Sequence, residues 1–143
     1  MSHAPSVLIV DDSTVNRLIV AATLRREGCR ILQAEDGCSG LETIAREKPD
    51  LVILDLMMPA MDGAEMMRRL RERAGSAMPK VLLMTAMEEA ESAAKARELG
   101  ADSHMSKPFA PAALRARVRE LLTNSRTVPA AGATDQAITG PLP

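Results

Sequence analysis

Three short, nearly unbroken apolar runs constrain this chain more than any other feature: Val7-Leu8-Ile9-Val10, then 51–56 interrupted only by Asp55, then 81–84. Each has the length of a β-strand. A strand that is apolar at every position must be covered on both faces, which is the condition of a parallel sheet held between two layers of helices. Two weaker candidates, Arg30–Ala34 and 102–106, bring the set to five. Helix-period segments fill the gaps. Val15, Leu18, Ile19 and Ala22 form an apolar stripe on a first helix that should stop near Gly28. Leu41, Ile44 and Ala45 mark a second, which Pro49 cannot continue. Met66, Met67 and Leu70 mark a third, and Leu114, Val118, Leu121 and Leu122 a fifth. The fourth, over 88–99, is built from Ala, Glu, Lys and Arg, with Leu99 as its only large apolar residue. Burial stabilises by about 25 cal/mol per Å² of apolar surface, so this helix is expected to be the least firmly docked.

Five strand–helix alternations within about 120 residues define a doubly wound α/β domain with helices on both faces, here over residues 5–123. After Leu122 the chain turns to Thr, Ala, Gly and Pro without periodicity, so 124–143 reads as a flexible tail or the stub of a linker. With 46% hydrophobic and 26% charged residues there is material for a core, drawn from Leu, Ile, Val, Ala and 10 Met. The formal net charge of −1 offers no basic field for nucleic acid or an anionic membrane. Phe109 is the only aromatic residue, which excludes a stacking platform for single strands. Cys29 and Cys38 have neither CxxC nor zinc spacing and are expected to be reduced thiols. No signal-peptide pattern or membrane-length apolar run is present, so a cytoplasmic protein without membrane insertion is expected.

In open α/β sheets, ligands bind beyond the carboxyl ends of the strands. The first apolar run ends in Asp11-Asp12, the third strand at Asp55, the fourth at Thr85 and the fifth at Lys107. With neighbouring strands about 4.8 Å apart, these groups can converge on one pocket. Three carboxylates gathered there repel: two unit charges at 4 Å interact by roughly 4 kcal/mol at an effective dielectric of about 20. Oxygen donors alone suit a hard cation, Mg²⁺ in particular. A cation, an ammonium and a hydroxyl around one carboxylate meet the needs of phosphoryl transfer to that carboxylate. Each residue also has an ordinary reading. Asp11-Asp12 before Ser13 can serve as helix capping, and Thr85 or Lys107-Pro108 can be purely structural. Asp55 inside an apolar strand is harder to explain that way, because an unpaired buried carboxylate is costly.

The segments V-D-D-S at 10–13, D-L-M-M-P-A-M-D-G at 55–63, M-T-A at 84–86 and K-P-F at 107–109 occur in order, and over roughly 5–123 the chain resembles a bacterial response-regulator receiver domain. The resemblance implies the flavodoxin-like strand order 2-1-3-4-5. It implies that Asp55 is the phosphoacceptor, taking its phosphoryl group from a sensor histidine kinase or phosphotransfer protein. Asp11, Asp12 and Asp55, with the backbone carbonyl of Met57, would hold Mg²⁺. Lys107 would pair with the phosphoryl group and Thr85 would move to bond it, while Lys107–Pro108 would be a cis peptide. Pro59 and Gly63 would shape the loop after the acceptor. The responsive surface would be the fourth helix, fifth strand and fifth helix, meeting a downstream protein target or a second copy of the chain, with no direct contact to nucleic acid.

Two departures from the family pattern stand out. Where receivers often carry Tyr or Phe three residues before the Lys, this chain has His104, either a pH-sensitive switch partner of Thr85 or an exposed imidazole without that role. Met57 and Met87 lie two residues after Asp55 and Thr85 and cannot orient water by strong hydrogen bonds, so a long-lived acyl phosphate is one expectation and simple space-filling the other. Arg68, Arg69, Arg71, Arg73 and Arg115, Arg117, Arg119 read as solvated helix faces, or as a partner contact. The expected function is that of a single-domain phosphoacceptor module in two-component signalling, no enzyme beyond its own phosphorylation and dephosphorylation. The alternatives are a phosphorelay intermediate, or the N-terminal receiver of a larger regulator with a DNA-binding or enzymatic output. A phosphatase using Asp55 lacks its second acid because Met57 stands there, and no GxGxxG or Walker loop supports nucleotide binding.

Overall fold

A computed structural model describes residues 4–58 and 61–123. Five strands, β1 (Ser6–Val10), β2 (Arg30–Ala34), β3 (Leu51–Asp55), β4 (Lys80–Thr85) and β5 (Ser103–Ser106), pair in parallel in the order β2-β1-β3-β4-β5. Five helices alternate with them: α1 (Thr14–Arg25), α2 (Gly37–Glu47), α3 (Gly63–Ala74), α4 (Glu89–Leu99) and α5 (Pro111–Thr123). This is the expected strand order. The register aligns Val10 with Ala34 and Leu54, Asp55 with Met84, and Thr85 with Ser106, so strand ends two and three strands apart finish at one edge.

The apolar runs are buried because the period of two divides them between two cores. Val7, Ile9, Leu51, Ile53, Leu82 and Met84 pack against Val20, Ala21 and Leu24 of α1 and Leu114, Val118 and Leu121 of α5. Leu8, Val10, Val52, Leu54, Val81 and Leu83 pack against α2 and α3, with Ala96 and Leu99 from α4. β5 lies at the sheet edge, and all four of its residues are partly exposed.

The expected face of α1 is overturned. Val15, Leu18 and Ile19 are 64%, 53% and 47% exposed, and Ala22 is exposed as well. The inward stripe is Val20, Ala21 and Leu24, with the half-buried Arg17 one turn before it. Two apolar stripes run along this helix, so periodicity alone does not choose between them. The helix is instead rotated into place from its N-terminus: Ser13 caps it by accepting from the Asn16 amide at 3.1 Å, and Arg17 bonds the chain leaving β1.

Helix starts differ in quality. Asp36 caps α2 through the Ser39 amide at 2.8 Å, and Asp62 caps α3 through the Glu65 amide at 2.9 Å. Such caps contribute about 1 kcal/mol each. Glu88 before α4 makes no side-chain cap bond. At Gly63 a side chain is sterically excluded, since a Cβ would fall 2.8 Å from Leu56 Cα and 2.9 Å from the Asp55 carbonyl. α3 therefore starts directly against the end of β3. Among the described residues, no helix is long and apolar enough to cross a membrane. Pro59 and the 124–143 segment lie outside the described residues.

Candidate functional site

The strand ends deliver polar residues to one edge of the sheet. Asp11 follows β1, Asp55 is the last residue of β3, Thr85 the last of β4, and Lys107 follows β5. Carboxylate oxygens of Asp11, Asp12 and Asp55 all lie within 4.8 Å of one another. Asp11 and Asp55 are buried to 6% exposure, whereas Asp12 faces solvent. The cap of α1 is Ser13, so the two acids before it are not consumed as its cap residue. Lys107 Nζ stands 3.3 Å from Asp11 Oδ2 and 3.3 Å from Asp55 Oδ2.

Backbone bonds fix these groups. The Lys107 amide donates to the Thr85 carbonyl at 2.8 Å, and the Leu56 amide to the Met84 carbonyl at 3.2 Å. The Asp11 amide donates to the Ala34 carbonyl at 3.1 Å. Asp11 Oδ1 accepts from the Ser13 amide at 2.9 Å, and Asp55 Oδ1 accepts from the Met57 amide at 3.2 Å. Met57 thus enters the site through its backbone, while its side chain is 65% exposed. The Lys107–Pro108 peptide is cis.

Burial raises the Asp55 carboxyl above its ordinary range; Lys107 draws it back down, the Asp11 charge raises it further, and the Met57 amide opposes that rise. With three clustered carboxylates against the Lys107 ammonium 3.3 Å from two of them, the site is short of positive charge. An all-oxygen donor set at this spacing suits a hard divalent cation, which would relieve the same deficit.

Thr85 is fully buried, and its hydroxyl oxygen accepts from the Met87 amide at 3.2 Å. No hydrogen bond joins it to Asp55 among the described residues, and Thr85 does not line the cavity beside the acids. His104 lies outside the cluster. Its Nε2 is 2.7 Å from Glu89 Oε2 on the first turn of α4, and its carbonyl accepts from Arg117 Nη1 at 2.8 Å. Most of the arginines have duties within the fold. Glu65 pairs with Arg68 and Arg69, Arg71 donates to the Leu99 carbonyl at 2.7 Å, and Glu27 pairs with Arg115 and Arg119.

A cavity of about 440 Å³ opens beside the acids between α1 and the chain after β5, with Asn16, Ile19, Phe109, Asp55 and Lys107 in its wall. A larger one of about 590 Å³ lies at the opposite end of the sheet, among Leu41, Ile44, Leu70 and Leu121. It contains none of the three clustered acids, and strand C-terminal ends, not starts, carry the chemistry here. Two features escaped the sequence reading. The apolar face of α1 next to the acids is open to solvent, and Arg17 bonds the acid loop. The available signal for Arg17 was a lone cation on an otherwise apolar helical stripe.

A family model described as the response regulator receiver domain matches residues 7–119. The alkaline phosphatase synthesis transcriptional regulatory protein PhoP of Bacillus subtilis is 38% identical over 119 residues, covering 83% of this chain and 49% of that protein. The DNA-binding dual master transcriptional regulator RpaA of Synechocystis is 34% identical over 139 residues, covering 96% of this chain and 58% of that protein. The chain spans about half the length of the curated relatives it matches. Among solved structures, the chemotaxis protein CheY4 of Vibrio cholerae superposes with a TM-score of 0.76 at 29% identity, over 82% of this chain and 98% of that one. The Francisella response regulator 1452 receiver domain gives a TM-score of 0.76 at 27% identity, over 83% and 97% respectively.

Proposed function

The chain belongs to the response regulator receiver domain family, and on that premise we propose that it accepts a phosphoryl group on Asp55 from a phosphohistidine of a sensor kinase or phosphotransfer protein. One observation supports the reading: the Asp55 carboxylate lies within 4.8 Å of those of Asp11 and Asp12 and 3.3 Å from Lys107 Nζ. In the transfer, an Asp55 oxygen forms the new O–P bond as the N–P bond to the donor imidazole breaks, and the released imidazole keeps the electron pair. Asp11, Asp12 and Asp55, with the Met57 carbonyl that the family pattern adds, would hold Mg²⁺. When bound, Mg²⁺ supplies the positive charge that the phosphoryl oxygens require.

The protein's own groups do the rest. Lys107 already reaches two carboxylates and needs only a small displacement to pair with a phosphoryl oxygen. The Thr85 hydroxyl accepts from Met87, which leaves its proton to donate to such an oxygen. Movement of Thr85 pulls on the chain leading into α4, so the face made by α4, β5 and α5 reads the phosphorylation state for a downstream protein. The exposed Val15, Leu18 and Ile19 flank the site and offer the donor protein an apolar seat. Catalysis is limited to the protein's own phosphorylation and dephosphorylation, in the cytoplasm where kinases make phosphohistidine.

The test is incubation with acetyl phosphate and Mg²⁺ followed by intact mass. The parent gains one phosphate and Asp55→Asn gains none; a gain in both, or in neither, removes the proposal. A second reading is the receiver part of a longer regulator with a DNA-binding output, favoured by relatives about twice as long and named as transcriptional regulators. The mass of the native protein isolated from cells separates this from a single-domain module or phosphorelay carrier.

A further inference from the structure

We infer that Arg17 is a positioning residue for the acid site: it sets the Mg²⁺ affinity of Asp11 and Asp12 without touching the ion. The guanidinium joins three elements at once. Nη1 donates to the Asp11 carbonyl at 2.6 Å, Nη2 to Thr14 Oγ1 at 3.2 Å on the first turn of α1, and Nε to Gln33 Oε1 at 3.1 Å on β2. A planar fork of fixed donors suits this task, since it ties the loop at 11–13 to the helix behind it and to the edge strand beside it. Asp11 is then held at every polar group: its amide by Ala34, its carbonyl by Arg17, Oδ1 by Ser13 and Oδ2 by Lys107.

Of these four, the Lys107 contact is the one that phosphorylation would withdraw, and the Ser13 contact lies within the loop itself. Anchorage to the rest of the molecule therefore rests on the Ala34 bond and on Arg17. The need for it is electrostatic. Three carboxylates within 4.8 Å repel one another, and Asp12 is exposed, so a slack loop would splay the acids apart before a cation arrives. Ligands held in place by groups behind them bind metal more tightly, and losing such a partner typically weakens affinity by about 10–100-fold.

This inference rests on reading the acids as a Mg²⁺ site, and its sign separates it from a plain charge effect. As a mere positive charge near a dication, Arg17 would oppose binding, so Arg17→Gln would tighten Mg²⁺ and Arg17→Lys would leave it unchanged. As a positioning group, both variants weaken it, because lysine keeps the charge and loses the fork. Calorimetric titration of the full chain with MgCl₂ is the measurement, alongside the acetyl phosphate rate across Mg²⁺ concentrations. We expect both variants to bind Mg²⁺ about tenfold more weakly, with rates at saturating Mg²⁺ within about twofold of the parent. Gln33→Leu, which removes one anchor and leaves the loop intact, should weaken binding by a smaller factor and serves if the Arg17 variants do not fold. Unchanged affinity in the variants, or tightening in Arg17→Gln, overturns the role of Arg17 while leaving the Mg²⁺ reading in place. A parent protein that binds no Mg²⁺ overturns both.

Discussion

α1 and α4 pack into different cores and are held in opposite ways. α1 is capped by Ser13, clasped by Arg17, and buries Val20, Ala21, Thr23 and Leu24. α4 has no side-chain cap and buries only Ser92, Ala96 and Leu99. Among the described residues the Ser92 hydroxyl is buried without a hydrogen-bond partner, a condition that costs about 1–3 kcal/mol. The tie from α4 to β5 is Glu89–His104, with the Glu89 side chain 75% exposed, and pairs of that kind contribute about 0–1 kcal/mol. The outer faces differ as well. α1 shows Val15, Leu18 and Ile19 to solvent, whereas α4 shows mostly charged residues and alanine. α1 is firmly fastened with an apolar outer surface, and α4 is lightly fastened. That contrast suits the proposed function: a fixed element where the donor would dock and a looser one to report phosphorylation.

The largest effect should come from truncating the anchors. Leu24→Ala is expected to cost about 2–5 kcal/mol by urea unfolding, the usual range for a fully buried leucine, and Leu99→Ala clearly less. Equal losses would erase the contrast between the helices. Next, Ile19→Glu should slow transfer from a phosphohistidine protein by about 10–100-fold, equivalent to roughly 1.4–2.8 kcal/mol, while the acetyl phosphate rate stays within about twofold. A parallel fall in both rates would mean that Ile19 supports the pocket and not the partner.

Smaller effects concern single buried polar groups, Asp55 ending β3 and Ser92 on α4. Burial holds the Asp55 carboxyl above its unfolded value, so the folded state binds this proton more tightly than the unfolded chain. Its contribution to stability is complete below the unfolded pKa and is lost as pH rises through the folded one. In metal-free buffer Asp55→Asn should therefore melt higher than the parent at pH 7, with the gap closing as pH falls below about 4. A gap independent of pH would point to packing instead. Ser92→Ala should stabilise by about 1 kcal/mol, since it removes the unpartnered hydroxyl and favours the helix. A loss of stability would show that the hydroxyl has a partner, such as a water.

Much of this was legible along the chain. The runs at 7–10, 51–56 and 81–84 had to be buried strands, because no other short element is apolar at every position. Once they lay in one parallel sheet, the residues ending them had to share an edge, which is why Asp11, Asp55 and Lys107 line one pocket. Thr85 ends its strand at the same edge without lining it. The packing faces of α3 and α5 were also correct, because each carries a single apolar stripe: Met66, Met67 and Leu70 in one, Leu114, Val118 and Leu121 in the other. α1 failed the same test because it carries two.

Pattern and composition were enough for the elements, the parallel sheet and the strand-end placement of the acids, since those follow from local periodicity and from how polar side chains terminate apolar strands. The strand order came from the family resemblance. Which face of α1 turns inward, that Arg17 reaches back to the Asp11 carbonyl, and that His104 meets Glu89 were settled only in three dimensions. Each depends on a contact between segments that local preference leaves free to rotate, and the choice falls to whichever orientation satisfies the buried polar groups while closing both cores.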